Sequence, residues 1–296
     1  MTNLLMKIDG LLEGTIVKRP SKMIKSPYVA DIIPFPDSEH PCNQEILGHT
    51  ASLGCCGLAD VGATILMTKI TKQPTKKDES NEKIKCAYRV YLSCFIDKER
   101  NQETIVGIHP KLAEDLTEKA LIQNCLSKLQ NVKSYNRETV LYVKEKVDSR
   151  FDFSGIDENG IPFIMEVKNV PLADYEDITA VQRKKRNYDD RAFDSKVAYF
   201  PDGYRKKATE PVSPRALKHI RELTLIKKES KTRCIMCYVI QRTDADKFTI
   251  SVIDSEYREA VRTAVENGVE IITMVIKWSR NGEAYFVRDD LPIVEF

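Results

Sequence analysis

Three residue types at suggestive spacing raise the first chemical question. Asp152 lies in "SRFDF", residues 149–153, and Glu166 and Lys168 stand two apart in "IMEVKNV", residues 164–170. Side chains two apart on an extended strand leave from the same face, so Glu166 and Lys168 are neighbours if this segment is a strand. Two directly opposed carboxylates repel. A divalent cation between them removes that penalty, polarises a phosphoryl oxygen and generates hydroxide from bound water. Oxygen ligands suit Mg²⁺ or Mn²⁺, and the lysine would orient the attacking water or stabilise a pentavalent phosphate. The alternative is no chemistry, with Arg150–Asp152 and Glu166–Lys168 pairing on a sheet surface. Spacing alone leaves the two readings level.

The turn between the two segments decides whether Asp152 reaches Glu166. Alternation puts Arg150, Asp152 and Ser154 on one face and Phe151 and Phe153 on the other. In the second segment Phe163, Met165 and Val167 form an apolar face that should pack on a helix, and Ile164, Glu166 and Lys168 form the other. "DENG", residues 157–160, joins them as a hairpin. A two-residue turn at Asn159-Gly160 sets Asp152 opposite Val167, on the wrong face. A three-residue loop over residues 158–160 sets it opposite Glu166, and such loops favour a left-handed glycine last, where Gly160 stands.

The elements that must carry this hairpin follow from periodicity. Before it, "GTIVKR", "YVADII", "ATILMTKI" and "AYRVYLSCFI" read as short strands of a small barrel or compact sheet. "HPKLAEDLTEKALIQNCLSKLQ" changes to helical spacing, with Leu112, Leu116, Ala120, Cys125 and Leu129 on one face. Strands are then expected at "TVLYVKEKV", "SRFDFSGI" and "IPFIMEVKNV". A helix at "SPRALKHIRELTLIKK" has Ser213 as N-cap and Pro214 in the first turn. The strand "RCIMCYVIQR", the helix "DSEYREAVRTAVENG" and the strand "VEIITMVIKW" complete the series. This order is a mixed α/β layer domain.

Composition narrows the classes. The chain has 296 residues, 42% hydrophobic and 30% charged, with a net charge of +2, so any nucleic-acid surface must be local. No apolar run approaches the ~20 residues that span a bilayer. "MTNLLMKIDGLLEG" has no secretory pattern, so a cytoplasmic protein is expected, with nucleoid or nuclear association open. The eight cysteines are expected to be reduced thiols. Cys234 and Cys237 would face opposite sides of a strand and so not share a metal, and Cys55-Cys56 read as small packing residues. Residues 69–85 and 174–196 look like exposed insertions. The second holds "RKKRNYDDR", with five basic and two acidic residues, read as a solvated run or a phosphate contact.

The stretches "SRFDF", "EVKNV", "YFPDG", "LKHIREL" and "AVENGVEII" together resemble the sugar fermentation stimulation protein (SfsA) family. The matching residues are Ser149, Arg150, Asp152, Phe153, Glu166, Val167, Lys168, Phe200, Pro201, Asp202, Lys218, His219, Glu222 and Leu223. The resemblance implies an OB-like barrel over residues 1–103, a PD-(D/E)xK nuclease-like mixed-sheet domain over residues 104–296, and DNA binding without sequence preference. It implies Asp152 and Glu166 as Mg²⁺ or Mn²⁺ ligands and Lys168 as the catalytic lysine. Glu118 on the first helix is then a third carboxylate or a solvated helix residue, and Gln241 a further candidate at the site. Arg150, Lys218, His219, Arg19 and Lys22 are the candidate nucleic-acid contacts. Two departures fall where the family pattern has asparagine and this chain has His49 and His109. Three functions remain in view: a metal-dependent DNA nuclease, a DNA-binding or regulatory protein that keeps the nuclease fold without turnover, and a barrel-based module for protein or RNA.

Overall fold

A computed structural model of the chain describes residues 3–36, 44–50, 57–70, 86–97, 100–201 and 211–295. Residues 71–85 of the first insertion, Cys55-Cys56 and Asp202 lie outside the described residues. Two compact units are present, one of Lys7–Pro110 with Trp278–Glu283, the other of Met1–Met6, Lys111–Lys277 and Ala284–Phe296.

The first strand, β1 (Asn3–Lys7), belongs to the large sheet of the second unit. The barrel is built from β2 (Leu12–Lys18), β3 (Val29–Pro34), β4 (Ile46–Thr50), β5 (Thr64–Lys69) and β6 (Tyr88–Asp97), with β7 (Gln102–Gly107) on its edge. Parallel pairing of β4 with β6 closes the five strands into an OB-like barrel. Alternation fills it: Ile16, Ile32, Ile65, Met67, Val90 and Leu92 are fully buried, while Arg89 and Tyr91 of β6 alternate with them and are half-buried.

The second unit contains α1 (Lys111–Ile122), β8 (Ser134–Val143), β9 (Val147–Ile156), β10 (Pro162–Val170), β11 (Ala173–Asp174), α2 (Ala180–Arg183) and β12 (Lys196–Phe200). It continues through α3 (Pro214–Glu229), β13 (Arg233–Ile240), β14 (Ala245–Ile250), α4 (Ser255–Glu266), β15 (Glu270–Trp278) and β16 (Glu283–Arg288). Seven strands run in the order β1-β16-β15-β13-β10-β9-β8, and β11-β12-β14 form a smaller sheet. β10, β13 and β15 are parallel at the centre. β13 is covered on both faces, which explains its unbroken apolar run. Ile220 and Leu223 of α3 and Tyr257 and Val261 of α4 pack against Met236, Tyr238 and Ile240. On the opposite face α1 lies over β10 and buries Leu112, Leu116 and Ala120. Burial pushes the thiols of Cys234 and Cys237 up to about 12, so both stay protonated as core residues.

Several expected boundaries move. The helix expected to carry Cys125 and Leu129 ends at Ile122; Asn124 adopts φ +53° and the Cys125 N–H returns to the Ala120 carbonyl at 2.9 Å. "TVLYVKEKV" is not one strand, because Glu145 takes φ +62° and the Lys146 N–H closes a turn on Val143 at 2.9 Å. Residues 174–196 are not all solvated. Tyr175 is buried and stacks on Tyr188, Arg183 pairs with Asp174 at 2.7 Å, and Lys196 is 3% exposed. Polar composition concealed this because the charges satisfy one another.

The hairpin has the three-residue loop. The Gly160 N–H reaches the Asp157 carbonyl at 3.0 Å, Asp157 and Ile161 close the ladder at 2.9 Å, and Gly160 has φ +83°. Pro162 therefore pairs with Ile156 and Met165 with Phe153. A second glycine here is constrained by space. A Cβ on Gly155 would lie 2.1 Å from the Ser134 carbonyl oxygen and 2.7 Å from the Phe163 ring. Gly155→Ala is expected to destabilise by about 3 kcal/mol through overpacking and Gly160→Ala by about 1 kcal/mol through its left-handed backbone. Urea unfolding of the two variants would show this order, and equal midpoints would refute it.

Candidate active site

β9 and β10 part where the candidate carboxylates stand. Their ladder runs to Met165↔Phe153, and beyond it the Val167 N–H is capped by Asp152 Oδ2 at 2.7 Å. On the other side of β9, Arg137 pairs with Phe153 and Thr139 with Phe151, while Glu138, at φ +52°, and Asp152 drop out of the ladder. This irregularity reverses the side-chain alternation. Phe153 carries the Arg137 guanidinium, which pairs with Glu114, Asp115 and Glu118 of α1. Phe151 instead joins the α3 core, its ring 5.7 Å from that of His219. The expected shared face of Phe151 and Phe153 is thus corrected, and Asp152 occupies the fork between the strands.

Glu166, 1% exposed, is the centre of the group. Its Oε1 accepts from Lys168 Nζ and from His219 Nδ1, and its Oε2 is buried with no partner. An ionised carboxylate only accepts, so His219 carries its proton on Nδ1 in this contact. Burial works against the charge of Glu166, but Lys168 and His219 outweigh it and hold the carboxyl below its usual range. Asp152 behaves oppositely. Burial and then the negative charge of Glu166 push it up to about 7, against the pull of Lys168 and the Val167 N–H, and Glu114 adds to the rise. Two carboxyl groups with pKa values driven apart in one polar fork suit cation binding or proton transfer.

On α1, Glu118 is half-buried and already paired with β8 residues. Both oxygens of Glu118 are engaged, one by Arg137 at 2.7 Å and one by the Tyr135 hydroxyl at 3.3 Å. The field that reaches Asp152 is that of Glu114, one turn earlier. Residues four apart share a helix face, so spacing could not choose between them.

Comparison with known proteins bears on this arrangement. A "Sugar fermentation stimulation protein homolog" of Trichodesmium erythraeum is 30% identical over 268 residues, covering 90% of this chain and 85% of that one. The chain belongs to the sugar fermentation stimulation protein family. A homolog from Roseobacter denitrificans is 29% identical over 233 residues, 78% of this chain and 79% of its own length. The family's sequence model, "Sugar fermentation stimulation protein RE domain", matches residues 189–282, a stretch that holds α3 and begins after Lys168. The fold matches "The structure of Pyrococcus Furiosus SfsA in complex with Ca2+" with a TM-score of 0.70 at 18% identity, over 99% of this chain and 100% of that one.

Lys218 and His219, adjacent on α3, differ in burial. His219 is 4% exposed and holds Glu166, so it is a positioning residue rather than the nucleic-acid contact expected. Lys218 is half-exposed, with Nζ on the Asp148 carbonyl and 3.8 Å from Glu222. Arg150 is exposed and pairs with Glu138 at 3.3 Å. Gln241 is fully buried and donates to Asn169 Oδ1, one residue past the carboxylate strand's Lys168. In the barrel, Arg19 donates to the Pro27 carbonyl at 2.8 Å and the Ala59 carbonyl at 3.2 Å. Lys22 pairs with Glu45 at 2.8 Å on the surface. No helix among the described residues is long and apolar enough to cross a membrane.

Proposed function

We propose that this family member is a divalent-metal-dependent phosphodiesterase acting on DNA, with Asp152 and Glu166 holding Mg²⁺ or Mn²⁺ and Lys168 as the catalytic lysine. One observation carries the reading: a buried, unpartnered Glu166 Oε2 in the same fork as an Asp152 carboxyl pushed up to about 7. A buried anionic oxygen without a partner is costly, and a cation there would satisfy it and relieve the repulsion that raises Asp152. Among the described residues no three His, Cys, Asp or Glu side chains gather into a closed metal cage. Two carboxylates suffice for Mg²⁺, which keeps waters and takes substrate phosphate as further ligands. The Ca²⁺ named for the Pyrococcus furiosus relative supports a hard cation with oxygen ligands.

The bound ion would supply Lewis acidity toward the phosphate and a deprotonated water. The chain's own residues do the rest. His219 fixes the Glu166 carboxylate so that Oε2 remains available, and the Val167 N–H fixes Asp152. Lys168 stands on the Glu166 face to orient the water and to offset charge on the phosphate. Lys168 and His219 both closing on Glu166 Oε1 favours a second reading, a DNA-binding protein that keeps the fold without turnover.

The test is incubation of supercoiled plasmid with the protein and Mn²⁺ or Mg²⁺, with EDTA as control. Nicking should require the metal. Asp152 must lose its proton to act as a ligand, so at sub-saturating metal the rate should climb as pH rises through about 7, and saturating metal should move that rise to lower pH. No nicking, with salt-sensitive DNA binding retained, would select the second reading.

A further inference from the structure

The barrel carries a line of rings around Arg89. Arg89 has no hydrogen-bond or ion-pair partner among the described residues, and its Nε is buried. Arg19 and Arg100 of the same unit are both engaged, by the Pro27 carbonyl at 2.8 Å and by Asp97 at 3.0 Å. A buried guanidinium nitrogen without a partner is costly, and a phosphate oxygen would satisfy it. His49 is the register partner of Arg89 across the parallel β4–β6 pair, and its ring lies near-parallel to that of Tyr28, 9° apart with centroids at 6.3 Å. Tyr91, two residues along β6 and half-buried like Arg89, packs on His109 at 5.0 Å and 31°. Burial and the Arg89 charge hold His49 below its usual pKa, leaving a neutral ring to stack.

We propose that the outer barrel face of Tyr28, His49, Arg89, Tyr91 and His109 binds single-stranded nucleic acid, with bases stacked on the two ring pairs and a backbone phosphate on Arg89. Rings alternating with a cation are the device that recognises an unpaired strand, whereas a duplex hides its base faces. The inference rests on the nucleic-acid reading of the protein for its ligand class but not on the carboxylate site.

Fluorescence anisotropy with labelled oligothymidylate about twenty nucleotides long, and with a duplex of equal length, tests it in EDTA. The single strand should bind about tenfold tighter than the duplex, and Arg89→Gln or Tyr28→Leu should each weaken it about tenfold. Tyr28 is 39% exposed, so its replacement leaves the barrel core intact and keeps the test informative if the Arg89 variant melts early. Equal or tighter duplex binding, or wild-type binding by Tyr28→Leu, would overturn the proposal. Loss of nicking with single-strand binding intact would instead implicate the metal reading alone.

Discussion

Asp152→Ala is expected to lower Mn²⁺-supported plasmid nicking by about 10³-fold or more, the scale on which loss of an essential catalytic group acts. The variant removes one of two carboxylates in the strand fork and frees the Val167 N–H it caps at 2.7 Å. Lys168→Ala should reduce nicking by about 10²–10³-fold, the usual cost of losing a preorganised charge at the reacting centre. The two differ in a second readout. Mn²⁺ binding, followed by calorimetry, should fall sharply in Asp152→Ala and persist in Lys168→Ala, since an ammonium is no ligand. Wild-type nicking by both variants would mean a contaminating nuclease and remove the assignment.

Asp244→Ala should be among the most destabilising substitutions in the chain, at about 3–5 kcal/mol, because it strands buried cations. Asp244 is 1% exposed and accepts from Arg242 Nε and Nη2, both at 2.6 Å, and from Lys196 Nζ at 2.9 Å. Arg242 also donates to the Pro171 carbonyl at 2.9 Å, and Lys196 lies over the Tyr175 and Phe193 rings. One carboxylate therefore joins the segment ending at Lys196 to the β13–β14 connection. Burial alone would raise the Asp244 carboxyl, but Arg242 and Lys196 outweigh it and hold it below the ordinary value. A depressed carboxyl stabilises the fold above its unfolded pKa, and that stability is lost as pH falls through the folded value. The wild type should lose stability in that acidic range and Asp244→Ala should not show this component. Urea midpoints measured from neutral to acidic pH check both; a near-neutral substitution would refute the buried-charge account.

What the residues determined by themselves was local. Alternation in β6 and β10, the helical period of α1 and α3, and the glycine-ended hairpin loop are set by backbone sterics within a few residues. For that reason the residues alone favoured the three-residue loop that sets β9 against β10 up to Met165↔Phe153. The tertiary structure decided what depends on distant partners. Glu114 bears on Asp152, while Arg137 and Tyr135, on β8, engage both oxygens of Glu118. The face reversal between Phe151 and Phe153 follows from Glu138 leaving the ladder. His219 reaches Glu166 only because α3 packs across the sheet, 53 residues away in sequence. Arg89 meets His49 only through barrel closure. Burial and neighbouring charges together set a side chain's pKa, and at Glu166 one of those charged partners, His219, comes from another element.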